Sequence, residues 1–191
     1  MLQQGDALIV VDMQRDFLPG GALAVAEGDA IVPVMNRYVQ LFSLKRLLIA
    51  YSRDWHPANH CSFQAQGGPW PPHCVANTSG AEFATGLDVA PNAIIVSKAT
   101  ESRRDAYSAF QDTDLAGQLQ RLGVRRVYVG GLATDYCVRA TVEAALDGGF
   151  EAFVLKDAIR AVNVHPGDGD AALQAMLARG ACAARYEDLS Q

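Results

Sequence analysis

The sequence predicts an α/β protein, a single-domain, doubly wound and mainly parallel six-stranded sheet with helices on both faces. Short runs of apolar and β-branched residues alternate along the chain with amphipathic helical patterns. Each run is continuously apolar, which is typical of strands covered on both faces. A chain of 191 residues is long enough to bury one core. We therefore expect residues 1–191 to form one domain.

The predicted strands are residues 7–11, 46–50, 93–97, 126–130 and 152–155, with a weaker sixth at 182–186. Helical stripes lie between them at residues 31–42, 115–122, 138–146 and 173–177, and a glycine follows each of the last three. From about residue 53 to 92 periodicity is lost, and Pro, Gly, His and Trp accumulate. A connection of that length in a compact domain is usually functional, so we expect an active-site loop there.

Composition narrows the classes of function. The net charge of −5 and the lack of a basic patch argue against nucleic-acid binding. No apolar run reaches the length of a membrane span, and the first residues carry no signal-peptide pattern, so we expect a cytoplasmic protein. The four cysteines show no CxxC spacing, which favours free thiols.

A candidate metal site lies in the long loop. Asp54 and His56 are two residues apart, and His73 follows in a Trp-Pro-Pro-His segment. One carboxylate and two imidazoles suit Zn, Fe or Mn, and three protein ligands leave coordination positions open for substrate or water. Two alternatives stay open: the three side chains meet nothing, or Cys61 and Cys74 join a structural zinc site.

Reactive side chains follow four of the predicted strands. Asp12 ends the first, Asp54 and His56 come just after the second, Lys98 follows the third, and Cys137 lies seven residues past the fourth. Ligands of doubly wound sheets bind outside the carboxyl ends of the strands, so we expect these groups to meet. A plain Asp12–Lys98 ion pair that only fixes the sheet edge is the structural alternative.

Cys137 is the candidate nucleophile. It follows a glycine-bearing turn at the start of a helix, whose positive end favours thiolate and whose free N–H groups could form an oxyanion hole. His56 and His73 are assigned to the metal and His165 is expected at the surface, so Asp12 remains as the base, with Lys98 beside it. Cys182 is expected in a strand core.

Five segments together resemble a known family: VDMQRDF with PGG at residues 11–21, RDWHPANH at 53–60, WPPHC at 70–74, SKAT at 97–100 and GLATDYCV at 131–138. In this order and spacing the chain resembles the nicotinamidases among the isochorismatase-like cysteine hydrolases, along nearly its whole length. The resemblance implies a catalytic triad of Asp12, Lys98 and Cys137, and metal ligands Asp54, His56 and His73.

The same resemblance implies substrate contacts. Phe17 and Trp70 would sandwich a pyridine ring, and backbone amides of Ala133 and Cys137 would form the oxyanion hole, beside a cis bond at Leu132–Ala133. His60 would be an extra metal ligand or lie in the second shell.

The implied reaction turns nicotinamide, and pyrazinamide, into the acid and ammonia through a thioester, a step of NAD salvage. It implies one divalent metal, zinc first and iron or manganese as alternatives, with the ion positioning the substrate and the sulfur reacting. Relatives often self-associate, so a homo-oligomer is expected. The remaining alternatives are an amidohydrolase for N-carbamoyl or ureido substrates, and a non-catalytic metal-binding module. An isochorismatase and a dinucleotide-binding protein fit less well, because the chain carries both the thiol and the ligand triple and has no GxGxxG.

Overall fold

The computed structural model describes residues 1–190, and a single parallel sheet organises them. Its order is β3-β2-β1-β4-β5-β6, with every neighbouring pair parallel. The strands are β1 (Asp6–Val11), β2 (Leu48–Asp54), β3 (Ile94–Lys98), β4 (Arg126–Leu132), β5 (Glu151–Arg160) and β6 (Cys182–Ala184). The predicted doubly wound α/β class is confirmed.

Helices cover both faces of this sheet. They are α1 (Val32–Leu44), α2 (Leu115–Arg121), α3 (Arg139–Asp147), α4 (Asp168–Ala178) and the short α5 (Tyr186–Leu189). Apolar residues of α1 form a core with one sheet face, and those of α2, α3 and α4 form a second core with the other. Side chains of β1 alternate between the two cores, with Leu8 in the first and Ile9 in the second, which is why this strand is apolar throughout.

The carboxyl ends of several strands differ from the sequence prediction. Strand β2 was placed at residues 46–50 but runs from Leu48 to Asp54, because Arg46 adopts a left-handed conformation with φ of 55° after α1. The sequence does not reveal the last residues of β2, because Ser52 and Asp54 are polar although they are buried. Likewise β3 ends on Lys98 itself, and β5 continues to Arg160 past a register shift against β4.

The last predicted strand is shorter than expected. It ends at Ala184, and Tyr186 begins α5. Cys182 is exposed rather than part of a core, because β6 lies at the edge of the sheet. His165 is exposed, as predicted.

Strands β1 and β4 approach each other closely at the centre of the sheet. Strands β2 and β3 lie on one side of β1, and the later strands lie on the other. A Cβ atom on Gly131, whose φ is +127°, would lie 2.0 Å from the carbonyl oxygen of Val11. Only glycine fits this position. The close pairing sets the ends of β1 and β4 side by side, which is the switch point where ligands of such sheets bind.

The connection from β2 to β3 holds its shape with little regular structure. Two short 3₁₀ turns, Gln64–Gln66 and Ser79–Ala81, and the isolated bridges His56–Val75 and Phe63–Trp70 brace it. It folds back over the carboxyl edge of the sheet, since His56 and His73 pack against each other with ring centroids 4.9 Å apart. Among residues 1–190, no helix has the length and apolar character that crossing a membrane requires.

Candidate active site

Lys98 lies at the centre of a buried cluster at the carboxyl edge of the sheet. Its ammonium is 2.9 Å from Asp12 Oδ2 and 3.6 Å from Cys137 Sγ, and it donates to the carbonyl oxygen of Ala106 at 3.2 Å. It also donates to Asp54 Oδ1. The sheet therefore brings the three predicted triad residues within contact, and adds a fourth group, Asp54, that the sequence suggested only for the metal.

The carboxylate of Asp12 is held in place from two sides. Asp12 follows β1 in a left-handed conformation with φ of 47°, which turns it out of the strand. Its Oδ1 accepts a hydrogen bond of 2.6 Å from the Ser52 hydroxyl, while Oδ2 faces Lys98. Asp12, Asp54 and Cys137 bring ligand-type atoms within 4.8 Å of one another, but the Lys98 ammonium already supplies a positive charge to that group.

Electrostatics determine the resting state of the thiol. Burial raises the pKa of Cys137 well above its usual value; Lys98 opposes this shift, and Asp12 and Asp54 reinforce it. Burial and the two carboxylates thus favour the protonated thiol, against the contribution expected from the helix end. A protonated thiol needs a base, and burial raises the pKa of Asp12 as well, with Lys98 offsetting part of that shift.

Lys98 stays charged in this setting. Burial alone would lower the pKa of Lys98, but Asp12 and Asp54 outweigh it and hold that pKa well above its usual value. For Asp54, burial would raise the pKa, yet Lys98 and then His56 outweigh burial and lower it. In this cluster the Lys98 ammonium and the Asp54 carboxylate stay ionised. Asp12, whose pKa is raised, is the group best able to exchange a proton.

Cys137 lies in a single π-helical turn, a wider winding than that of an α-helix. Residues Thr134–Val138 form one turn of π-helix before α3, and the Leu132–Ala133 peptide bond is cis, where the resemblance predicted it. The Asp135 carboxylate accepts hydrogen bonds from the amides of Val162 at 2.9 Å and Asn163 at 2.8 Å, which fixes the turn to the end of β5. The amides of Ala133 and Cys137 lie at either end of this turn.

Asp54, His56 and His73 form the second buried cluster, and they are the predicted metal ligands. One ligand atom from each lies within 4.8 Å of the others. Asp54 Oδ2 is 3.6 Å from His56 Nε2, and all three residues are at most 5% exposed. The arrangement can hold one divalent cation.

The tautomers of both histidines fit a metal. The Nδ1–H of His56 donates to the carbonyl of Ala99 at 3.3 Å, and that of His73 donates to the carbonyl of Pro71 at 2.8 Å. Each Nε2 then presents a lone pair, the arrangement found in metal-ligating histidines. His56 Nε2 is buried without a hydrogen-bond partner among residues 1–190, and burial lowers the pKa of His73, which favours its neutral, ligating form.

His60 stacks on His56 with ring centroids 4.2 Å apart, but both of its nitrogens are engaged. Its Nδ1 accepts from the Ser62 hydroxyl at 2.7 Å, and its Nε2–H donates to the carbonyl of Arg104 at 3.0 Å. His60 thus packs against the ring of His56 and has no free nitrogen to offer a metal. Neither Cys61 nor Cys74 belongs to a metal-capable group within the described residues.

A cavity connects the two clusters and is almost wholly apolar elsewhere. It has an empty volume of about 360 Å³, and Cys137 and Ala133 face Asp54 and His73 across it. Its remaining lining residues are Phe17, Leu23, Trp70, Tyr107, Tyr136 and Val162. Phe17 and Trp70 were expected here. Tyr136 could have been found from its place beside Cys137, whereas Leu23, Tyr107 and Val162 gave no signal in the sequence.

Gln14 is a further residue that sequence reasoning passed over, although it stands in the first motif. Its buried side chain accepts from the Asp54 amide at 2.8 Å and donates to the Asp54 carbonyl at 2.8 Å and to the Ala81 carbonyl at 2.9 Å. The side-chain amide thus pairs with the end of β2 as a neighbouring strand would. It does so beyond residue 11, where β1 has already ended. It holds Asp54 in position for both clusters.

A larger depression lies at the opposite, amino end of β2, with an empty volume of about 750 Å³. Its only charged lining residue is Arg46, so it offers no acid–base pair. The smaller cavity at the carboxyl edge is the candidate active site, because it is lined by Cys137, Asp54 and His73.

Known proteins match the chain over almost its full length. A family model described as the isochorismatase domain matches residues 6–188. The chain is similar to a nicotinamidase of Escherichia coli (strain K12), at 40% identity over 92% of this chain and 92% of the relative.

Solved structures agree. A pyrazinamidase of Pyrococcus horikoshii in complex with zinc is 53% identical with a TM-score of 0.92, covering 95% of this chain and 99% of its own. A protein from L. infantum in complex with nicotinate is 37% identical with a TM-score of 0.89, covering 96% of this chain and 94% of its own. The chain therefore belongs to the isochorismatase family, and within it to the nicotinamidases.

Proposed function

We propose that this protein hydrolyses the carboxamide of nicotinamide to nicotinate and ammonia, and that of pyrazinamide in the same way, through a thioester on Cys137. The observation that carries the proposal is the meeting of Cys137, Asp12 and Lys98 at one side of an aromatic cavity whose other side is formed by Asp54 and His73. The reaction would supply nicotinate for NAD salvage.

Asp54, His56 and His73 would hold one divalent metal, with zinc the best match to two imidazoles and a carboxylate and iron or manganese as alternatives. When bound, the ion supplies a Lewis-acidic anchor for the ring nitrogen of the substrate. His60 supports His56 from behind and keeps its own nitrogens for Ser62 and Arg104.

Phe17 and Trp70 bind the faces of the substrate ring, and the apolar lining excludes bulk water. With the ring held there, the carboxamide carbon lies against Cys137. Proximity of this kind supplies part of the rate enhancement, because the nucleophile and the amide no longer have to find each other.

The chemistry then proceeds in two halves. Asp12 accepts the thiol proton as sulfur attacks the amide carbon, and Lys98 stabilises the anionic pair while the amides of Ala133 and Cys137 stabilise the oxyanion. Asp12 returns its proton to the departing nitrogen, and ammonia leaves. In the second half Asp12 accepts a proton from water as the water attacks the thioester, and that proton returns to the Cys137 sulfur as nicotinate leaves.

The alternatives have less support. An amidohydrolase for N-carbamoyl or ureido substrates would use the same triad but has no need of a metal-ligand cluster open to the nucleophile's cavity. A non-catalytic metal module would be expected to coordinate the ion with four protein ligands. His60, which stacks on His56, has both nitrogens in hydrogen bonds and is therefore not free to be the fourth.

Three further expectations go with the proposal. Residues 1–191 constitute one isochorismatase-like hydrolase domain. A cytoplasmic location would keep the Cys137 thiol reduced. Self-association into a homo-oligomer is expected and is tested by measuring the mass of the purified protein in solution.

The direct test is ammonia release from nicotinamide, pyrazinamide and an N-carbamoyl amino acid by the metal-loaded protein. We expect kcat/KM for the two ring amides to exceed that for the N-carbamoyl compound by at least about 100-fold, the scale on which a binding site discriminates. Faster release from the N-carbamoyl compound would overturn the proposal in favour of the ureido class. No release from any of them would favour the non-catalytic alternative.

A further inference from the structure

A short segment between β3 and α2, residues 102–107, accepts hydrogen bonds from Lys98, from Trp70 and from two other residues of the loop between β2 and β3. Four hydrogen bonds reach it from the site: Cys61 N–H to Ser102 O at 2.8 Å, His60 Nε2–H to Arg104 O at 3.0 Å, Lys98 Nζ to Ala106 O at 3.2 Å, and Trp70 Nε1–H to the Tyr107 hydroxyl at 3.2 Å. Three come from the loop between β2 and β3, through Cys61, His60 and Trp70, and one comes from the catalytic ammonium. These hydrogen bonds hold the segment that carries Tyr107 against the site.

Trp70 depends on this support for its orientation. Its backbone is fixed, since its N–H donates to Ser62 O at 3.0 Å and its carbonyl accepts from Gln64 N–H at 2.8 Å. The indole itself is only partly buried and meets the ring of Tyr136 edge-on, with centroids 5.1 Å apart. An edge contact alone holds the ring weakly, so we expect the hydrogen bond from Nε1 to contribute to its orientation.

Tyr107 is suited to accept that bond. Burial raises the pKa of Tyr107, although the bond from Trp70 opposes the shift, so the phenol keeps its proton at neutral pH. Its backbone amide donates to Gln111 Oε1 at 3.3 Å, and the carbonyl of the preceding residue, Ala106, accepts from Lys98. The backbone on both sides of the Ala106–Tyr107 peptide bond is therefore hydrogen-bonded, on one side to the triad lysine.

We propose that Tyr107 is a positioning residue for the amide hydrolysis, and that its hydroxyl holds the Trp70 indole in the orientation that binds the substrate ring. This inference rests on the function proposed above. Loss of the hydroxyl frees the indole and weakens binding of the ring equally in the ground state and the transition state. Such a loss of uniform binding raises KM and leaves kcat unchanged.

A double-mutant cycle tests the inference. Tyr107→Phe removes the acceptor and keeps the ring, and Trp70→Phe removes the donor. We expect Tyr107→Phe to raise KM for nicotinamide about fivefold, the value of one ordinary hydrogen bond, with kcat within about twofold of wild type. In the Trp70→Phe background, Tyr107→Phe should raise KM no further, because the bond is already absent.

The control is Tyr51→Phe. This variant also loses a tyrosine hydroxyl, which donates to the Asp88 carbonyl at 2.8 Å, but Tyr51 is a buried residue of β2 that lies outside the cavity. It should lower the Tm and leave KM unchanged, which separates positioning from general stability. An unchanged KM in Tyr107→Phe, a fall in kcat with KM unchanged, or an equal KM increase in the Trp70→Phe background would each overturn the inference. Wild-type protein that releases no ammonia would overturn the proposed function and this inference with it, whereas the other outcomes overturn the inference alone.

Discussion

Lys98 and Asp54 are hydrogen-bonded, so the ammonium that faces Asp12 and Cys137 also contacts the carboxylate that faces His56. The sequence suggested separate tasks for the metal and the nucleophile. The structure instead joins the two clusters through one residue, with Oδ1 of Asp54 turned to the triad and Oδ2 turned to the imidazoles. Asp12, Asp54 and Lys98 together place two buried carboxylates beside one buried cation. A divalent ion bound at Asp54 would change the net charge of this group from negative to positive.

Lys98→Met should cause a loss of both stability and activity. The change keeps most of the side-chain volume and removes the only cation in contact with Asp12 and Asp54 among residues 1–190. Breaking a buried ion pair by deleting one partner costs about 3–5 kcal/mol. We expect urea unfolding to show a loss on that scale and ammonia release to fall below detection. Lys156→Met, at an exposed lysine, is the matched control and should change neither. Near-wild-type stability of Lys98→Met would contradict the buried charge cluster.

His73→Ala should remove the metal and weaken substrate binding. Deleting one of three ligands leaves Asp54 and His56 alone, so we expect the metal content per chain, measured by elemental analysis after gel filtration, to fall from near one to near zero. KM for nicotinamide should rise, because the ring loses its anchor. His165→Ala, at an exposed histidine, should keep the full metal content. Full metal occupancy in His73→Ala would show that the ion lies elsewhere.

The acid limb of the kcat/KM profile should report the Asp12 cluster. The base is active when ionised, and burial raises the pKa of Asp12, so activity falls as pH drops through a value above the ordinary aspartate pKa of about 4. The pKa of Lys98 is raised, so the cation persists and should add no alkaline limb near neutrality. Metal content measured at each pH separates loss of the base from loss of the ion. An acid midpoint below about 4 with the metal retained would contradict the role of Asp12.

Gln14→Leu should destabilise the fold through Asp54. The substitution leaves the N–H and carbonyl of Asp54 and the carbonyl of Ala81 without their partner. Unpaired buried backbone groups cost about 1–3 kcal/mol each, so a fall in Tm of at least about 4 °C is expected by calorimetry. Gln120→Leu, on an exposed position of α2, is the control. An unchanged Tm in Gln14→Leu would mean that Asp54 is held by other contacts.

The sequence predicts the fold well because its strands are apolar on both faces. Residues such as Leu8 and Ile9 belong to opposite cores, which produces the continuous apolar run that indicates a parallel sheet. The strand ends are harder to predict, since Ser52, Asp54 and Lys98 are buried for chemistry rather than packing and read as loop residues. The extension of β2 beyond residue 50 to Asp54 has this cause.

The site was predictable where a motif marks it and not elsewhere. Asp12, Lys98 and Cys137 stand at strand ends and could be expected to meet. The Asp54–Lys98 bond and the Tyr107 hydroxyl bond to Trp70 depend on how the loops fold back over the sheet, which no local pattern encodes. The ionisation of Cys137 depends on the charges around it, and the helix alone suggested the opposite sign.

Attack of the Cys137 sulfur on the amide leaves a covalent intermediate, which a quenched turnover analysed by mass spectrometry can detect. Metal-loaded protein is mixed with nicotinamide, quenched in acid within a turnover and digested. We predict a nicotinoyl thioester on the peptide that contains Cys137, none on Cys61, Cys74 or Cys182, and no ammonia release from Cys137→Ala, which still binds nicotinate. Full turnover by Cys137→Ala, or an acyl group on another cysteine, would show that Cys137 is not the nucleophile.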